Sequence, residues 1–153
     1  MAKFTIRKAT RDDYGIINSF AKELYEYHKK LMPQMFCEAY RDYDVENFEN
    51  EVVDDDKMWL VAEVEGKIVG EVFAYISANR FNQIYTYVES IYVIPKYRKL
   101  GIATELMANV EKFAKKNEVN SIQLDVWASN VVATEFYNKL GLVPCSFKME
   151  KRI

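Results

Sequence analysis

The sequence predicts a mixed α/β fold in a single domain spanning residues 1–153, from three features of its patterning. Three β-rich runs follow one another in the middle of the chain, amphipathic helical stretches stand on either side of them, and turn residues fall at the joints. No linker, low-complexity tract or internal repeat divides the 153 residues, a length that suits one core. Half of the residues are hydrophobic and 29% are charged, as in an ordinary soluble globular protein.

In order along the chain, Phe4-Thr5-Ile6-Arg7 alternates like a short strand. Thr10 or Asp12 is placed to cap a helix in which Ile17, Phe20, Ala21, Leu24, Tyr27 and Leu31 recur at helical spacing, and Pro33 stops or redirects it. Residues 45–53 form a second short helix, ended by the solvated turn Asp54-Asp55-Asp56. Residues 58–64 and 67–76 are strands joined by Glu65-Gly66, a compact hairpin signal. The third run, residues 84–94, ends at Pro95 because proline cannot donate to a ladder. A helix with Ala103, Leu106, Val110, Phe113 and Ala114 on one face comes next, then a strand over residues 122–127. Asn130 caps a last helix carrying Ala133, Phe136, Tyr137 and Leu140, and Gly141 stands where a helix end favours positive φ. A final strand is expected between Leu142 and Ile153, giving the order β, α, α, three β, α, β, α, β.

Several function classes are disfavoured. A formal net charge of −2 argues against a generally nucleic-acid-binding surface. Cys37 and Cys145 have neither metal-ligand spacing nor a CxxC pairing, so they read as reduced, buried or semi-buried thiols, and no metal is expected. The first residues lack a signal-peptide apolar segment and no stretch approaches a membrane span, so the expectation is a cytoplasmic protein without a membrane partner.

The chemistry is concentrated where the third β-run meets the next helix. The first turn of a helix presents N–H groups without intrahelical acceptors, and the helix dipole adds positive potential there. Arg98-Lys99-Leu100-Gly101-Ile102-Ala103 places two cations and a glycine at such a turn, which suits a phosphate-type anion. On spacing alone a plain strand-to-helix connection with surface cations fits as well, and the segment has neither a P-loop nor a GxGxxG frame.

The segment Val93-x-Pro95-x-Tyr97-Arg98-x-x-Gly101-Ile102-Ala103 resembles the coenzyme A signature of the GNAT acetyltransferase superfamily, [Q/R]xxGx[G/A]. Asn130-x-x-Ala133-x-x-Phe136-Tyr137-x-Lys139-Leu140-Gly141-Leu142 resembles the second signature of that family, in family order and spacing. The resemblance covers essentially the whole chain and implies the GNAT fold, a central mixed β-sheet flanked by helices, with acetyl-CoA as co-substrate. It implies backbone contacts to pantetheine at Ile91, Tyr92 and Val93, and pyrophosphate on the amides of Lys99, Leu100, Gly101, Ile102, Ala103 and Thr104 beside Arg98. Asn130 would be a polar contact to the pantetheine, its plain role as helix N-cap standing beside that one.

The implied reaction is direct attack of a neutral amine on the thioester. An alkyl ammonium has a pKa near ~10, so a base must first take a proton. Glu89, an acid inside an apolar strand, resembles the family's general base, with a solvent-facing strand carboxylate as the alternative. Tyr137 matches the tyrosine that donates to the departing CoA thiolate, with Tyr92 and Tyr85 as fallbacks, although periodicity alone makes it a core aromatic. His28, the only histidine, reads first as a partly exposed helix residue and second as a substrate contact. The acids Glu38, Asp42, Asp44, Glu46, Glu49, Glu51 and Asp54 to Asp56 would favour a cationic acceptor such as a polyamine, an aminoglycoside or a basic peptide end, unless they simply solvate a surface. A homodimer follows from family habit.

Overall fold

The computed structural model describes residues 3–153. The chain runs through β1 (Phe4–Lys8), a 3-10 turn at Arg11–Asp13, α1 (Tyr14–Leu31) and α2 (Val45–Glu51) before reaching the centre of the sheet. There follow β2 (Lys57–Val64), β3 (Lys67–Ala78), β4 (Ile84–Val93), a second 3-10 turn at Pro95–Tyr97, α3 (Ile102–Lys116), β5 (Ile122–Gln123) and α4 (Val131–Lys139). The five strands make one mixed sheet in sequence order. β1 to β4 are successively antiparallel, and β5 lies parallel to β4.

Side-chain alternation explains the layering. Met58, Leu60, Ala62 and Val64 of β2 enter one core, while Trp59 and Val61 enter the other. β2 is buried on both faces, which is why it reads as an unbroken apolar run. On the first face α3 lays down Ile102, Leu106, Met107 and Val110, the one-stripe spacing of an amphipathic helix. On the second, α1 and α2 bring Ile17 and Phe48 against Trp59, Val61 and Phe73. Each such side chain, fully buried, contributes about 1.5–3 kcal/mol relative to exposure. The β2–β3 turn has positive φ at both Glu65 (50°) and Gly66 (76°), as a two-residue hairpin matching the sheet twist requires. The β1–α1 corner is pinned by Arg7, whose guanidinium donates to buried Asp13 at 2.7 and 3.0 Å and to Glu63 at 3.0 Å.

Three expectations change. Residues 142–153 form no strand: they pair with no edge, and Val143, Phe147 and Met149 are 78%, 83% and 88% exposed. A strand exists only through a ladder, and β5 pairs with β4 alone. β5 itself is two residues rather than the six of 122–127, because only Ile122 and Gln123 stay beside β4. Both cysteines are exposed rather than buried, since each lies on a segment without regular structure.

Candidate active site

The site begins with a gap in the sheet. β4 pairs with β5 only at Thr86↔Ile122 and Tyr87↔Gln123, so from Val88 to Val93 its outer edge is unpaired. Main-chain groups of alternate strand residues point to opposite sides. Ile94 N–H bonds the Val69 carbonyl at 2.8 Å, and the Tyr92 carbonyl faces Gly70 of β3. By alternation the peptide groups of Ile91 and Val93 point into the gap, whereas those of Tyr92 are directed to β3. The Tyr92 ring is buried under α1, its hydroxyl bonded to Glu23, with the Arg98 guanidinium 5.6 Å from the ring centroid.

The loop after β4 is held in shape by the protein itself. Arg98 Nε donates to the Val93 carbonyl at 2.8 Å, folding the loop back onto the strand end. Lys99 (φ 63°) and Gly101 (φ 83°) both adopt left-handed backbone, an ordinary state for glycine only. The first helical bond of α3 runs from Glu105 N–H to the Gly101 carbonyl at 3.0 Å, so the amides of Ile102, Ala103 and Thr104 have no backbone acceptor. Lys99, Leu100, Gly101 and Thr104 are exposed around them while Ile102 is anchored in the core.

α4 approaches the same opening, its Phe136 and Leu140 packing on the core beside Ile91 and Ile94. Asn130 is buried and caps the helix: its Oδ1 accepts from Ala133 N–H at 3.2 Å and from the Tyr27 hydroxyl at 3.3 Å. Its carbonyl oxygen is therefore fully used, which leaves the side-chain NH₂ for a ligand. Tyr137 has no hydrogen-bond partner among the described residues, yet its hydroxyl is not among the sealed polar atoms, so the phenol tip is open. Burial of the ring pushes its pKa up to about 12, which keeps it a proton-bearing donor at neutral pH.

Glu89 occupies a β-bulge. Phe73 pairs with Ser90 and Ala74 with Val88, leaving Glu89 as the extra residue of β4. Glu89 accepts from the Tyr75 hydroxyl at 3.1 Å. Tyr75 lies beside Tyr87 (5.6 Å between rings), and the Tyr87 hydroxyl donates to Asp125 at 3.0 Å. Tyr43, bonded to Glu51, completes a wall of phenols and carboxylates. Burial raises the pKa of Tyr43, Tyr75 and Tyr87, and the Glu89 charge adds to the rise in all three.

A family model described as Acetyltransferase (GNAT) family matches residues 21–142. The chain belongs to the GNAT acetyltransferase family. This GNAT chain is 29% identical to an uncharacterized N-acetyltransferase of Methanocaldococcus jannaschii, over 98% of its own length and 67% of the relative's. In fold it is similar to a mutant form of a Bacillus halodurans protein, with TM-score 0.90, 23% identity and coverage of 97% and 99% of the two chains. It is also similar to the aminoglycoside N-acetyltransferase AAC(6')-Iy solved in complex with CoA, with TM-score 0.77, 18% identity and coverage of 100% and 96%.

In this GNAT chain the open strand edge leads into the loop from Arg98 to Thr104, and Phe136 of α4 packs on the same core as Ile91 and Ile94. His28 is half-buried between the rings of Tyr27 and Phe36, and burial lowers its pKa. Several of the acids singled out by sequence serve the fold: Asp44 caps α2, Glu38 pairs with Arg41, and Glu51 pairs with Lys57. Sequence reasoning passed over Tyr43, Tyr75, Tyr87 and Asp125, which carried no motif. It also passed over Glu71, although an acid inside Val69-Gly70-Glu71-Val72-Phe73 gives the same signal as Glu89. Glu71 is the sealed one, and burial pushes its pKa up to about 7 against the pull of its Ser90 and Trp59 donors. Among the described residues no group of three or more metal-ligating side chains comes together, and no helix is long and apolar enough to cross a membrane.

Proposed function

We propose that the protein transfers the acetyl group of acetyl-CoA to a primary amine by direct attack within a ternary complex. The observation that carries this reading is the open β4 edge leading straight into the unpaired amides of Ile102 to Thr104. A pantetheine arm has amides to add along a strand edge, here at Ile91 and Val93, and a pyrophosphate suits a helix N-terminus. Acetyl-CoA supplies the activated thioester; everything else is positioning and proton movement.

Glu89 takes the proton of the acceptor ammonium, directly or through water. The freed nitrogen lone pair forms the C–N bond as the C–S bond breaks, the nitrogen sheds its remaining extra proton to solvent, and the departing thiolate takes up a proton to leave as the CoA thiol. Tyr137 hydrogen-bonds the developing thiolate. A phenol held near 12 is a weaker acid than a thiol of about 8.5, so stabilisation by the O–H, ahead of complete proton transfer, is its main contribution. Asn130 contributes its free NH₂ to the arm.

The acceptor is a cationic amine. The support is the wall of Tyr43, Tyr75 and Tyr87 with Glu51, Glu89 and Asp125, since phenol faces and carboxylates both attract ammonium groups. A thiol-release assay with polyamines, aminoglycosides, amino acids and peptides tests the scheme. Turnover is expected with polycationic amines. Saturable acetyl-CoA binding without turnover of any amine refutes it in favour of a silent CoA-binding module, and turnover of neutral or acidic acceptors alone refutes the cationic specificity. The exposed apolar residues Val143, Phe147, Met149 and Ile153 support a homodimer that covers them, which sedimentation of the intact chain checks.

A further inference from the structure

The β4 bulge has a cause in the core and a consequence for Glu89. Without it, the register running from Gly70↔Val93 to Phe73↔Ser90 would continue with Ala74 opposite Glu89. That would drive a carboxylate into the apolar layer beneath α3 and lift Val88 out of it. With the bulge, Val88 stays in the core, and Glu89 and Ser90 both reach β3 residues of the opposite face, Tyr75 and Glu71.

Glu71 ties the bulged strand to the rest of the sheet. Its Oε2 accepts from Ser90 Oγ at 3.2 Å and from Trp59 Nε1 at 2.9 Å. Trp59 is on β2 and Ser90 on β4, so one carboxylate links three strands. The Trp59 end is rigid: its ring stacks on Phe73 at 4.2 Å and meets the edge of Phe48 at 4.8 Å. Glu71 is only 4% exposed, so water offers no substitute for either donor. Among the described residues no other side chain links the bulge to β2 in this way, and the Glu89 carboxylate has the exposed Tyr75 contact as its one side-chain bond.

We propose that Glu71 is a positioning residue that, through Ser90, fixes the β4 bulge and hence the direction in which Glu89 presents its carboxylate. Its catalytic meaning rests on the reading of Glu89 as the base; the pinning of the bulge does not.

Three variants test it. Ser90→Ala removes the β4 end of the link and spares the Glu71–Trp59 bond, Ser90→Thr keeps a hydroxyl, and Glu71→Leu removes the oxygen that accepts from both donors, which a glutamine would keep. Amide hydrogen exchange at residues 88–90 is followed by NMR in the free protein, beside steady-state kinetics with acetyl-CoA and a polyamine. Ser90→Ala and Glu71→Leu are expected to speed exchange at those amides and to lower kcat roughly ten- to a hundredfold, the scale of a small misplacement of a reacting group. KM for acetyl-CoA should stay within about twofold, because the loop amides are untouched. Ser90→Thr should behave as the native chain, and the double variant should fall no further than the worse single one. Unchanged exchange in Ser90→Ala overturns the proposal whatever the activity does, and so does an additive loss of kcat. If Glu71→Leu does not fold, the Ser90→Ala and Ser90→Thr pair decides. A native chain without turnover refutes the proposed function, while the exchange data still decide the pinning.

Discussion

Replacing Gly70 by alanine should wedge β3 away from β4 beside the open edge. An alanine Cβ there would lie 2.8 Å from the Tyr92 carbonyl oxygen and 3.1 Å from Val93 Cγ2. Ordinary contact begins at 3.4 Å, so a backbone carbonyl, which cannot swing aside like a side chain, must retreat by several tenths of an ångström. Overpacking of this kind costs about 1–3 kcal/mol. Against it stands the ordinary gain of about 0.4–1 kcal/mol from removing glycine's freedom in the unfolded chain. The net expectation is a loss of about 1–2 kcal/mol. Urea denaturation followed by the fluorescence of buried Trp59 measures it, and calorimetric titration with CoA reports on the edge, which should bind more weakly because Tyr92 lies between Ile91 and Val93. A midpoint equal to or above that of the native chain refutes the claim that this close approach sets the strand spacing.

Three further outcomes are expected. Asp13→Asn removes the charge that accepts two Arg7 bonds and the Thr10 N–H in a buried corner, and should cost about 2–4 kcal/mol in chemical denaturation. Burial opposes ionisation of Asp13, but the bonds from Arg7 and Thr10 outweigh it and hold its pKa below the usual value, so its contribution is present above the unfolded pKa and fades as pH falls through the folded one. Glu71 has the opposite sign: raised from 4.5 to about 7, it contributes stability below pH 4.5 that is lost as pH climbs through 7, about 3 kcal/mol in all, and Glu71→Gln should flatten that part of the stability–pH curve. Tyr137→Phe should lower kcat roughly tenfold or more while leaving CoA affinity intact, and an unchanged kcat removes it as the thiolate donor.

The sequence made the loop and its flanking elements legible because Pro95, Gly101 and Asn130 each have a backbone job that few residues perform. The helices and central strands follow from the same logic of apolar period and stop residues, as with α1 ending at Leu31 before Pro33. Strict alternation failed at Glu89. A bulge reverses the faces of every residue beyond it, so the pattern of β4 alone does not say which of Glu71 and Glu89 is sealed and which is open. The tyrosine wall escaped for another reason: Tyr43, Tyr75, Tyr87 and Asp125 come from four segments and meet only through tertiary packing. The expected last strand failed because residues 142–153 carry an alternating pattern but find no edge within the chain.

The loop after β4 has a consequence for how such a protein can change. In the proposed scheme donor recognition is written in main-chain amides, and nearly any side chain at Leu100 or Thr104 leaves those amides in place; Lys99 and Gly101, with their left-handed backbone, are the exceptions. In the same scheme acceptor recognition is written in side chains of a wall assembled from separate segments. Point mutations can therefore rewrite one half of the reaction while barely touching the other. In that scheme the fold is an adaptor with one socket built from backbone and one replaceable face, and a library confined to Tyr43, Tyr75, Tyr87 and Asp125 is the place to look for new acceptors.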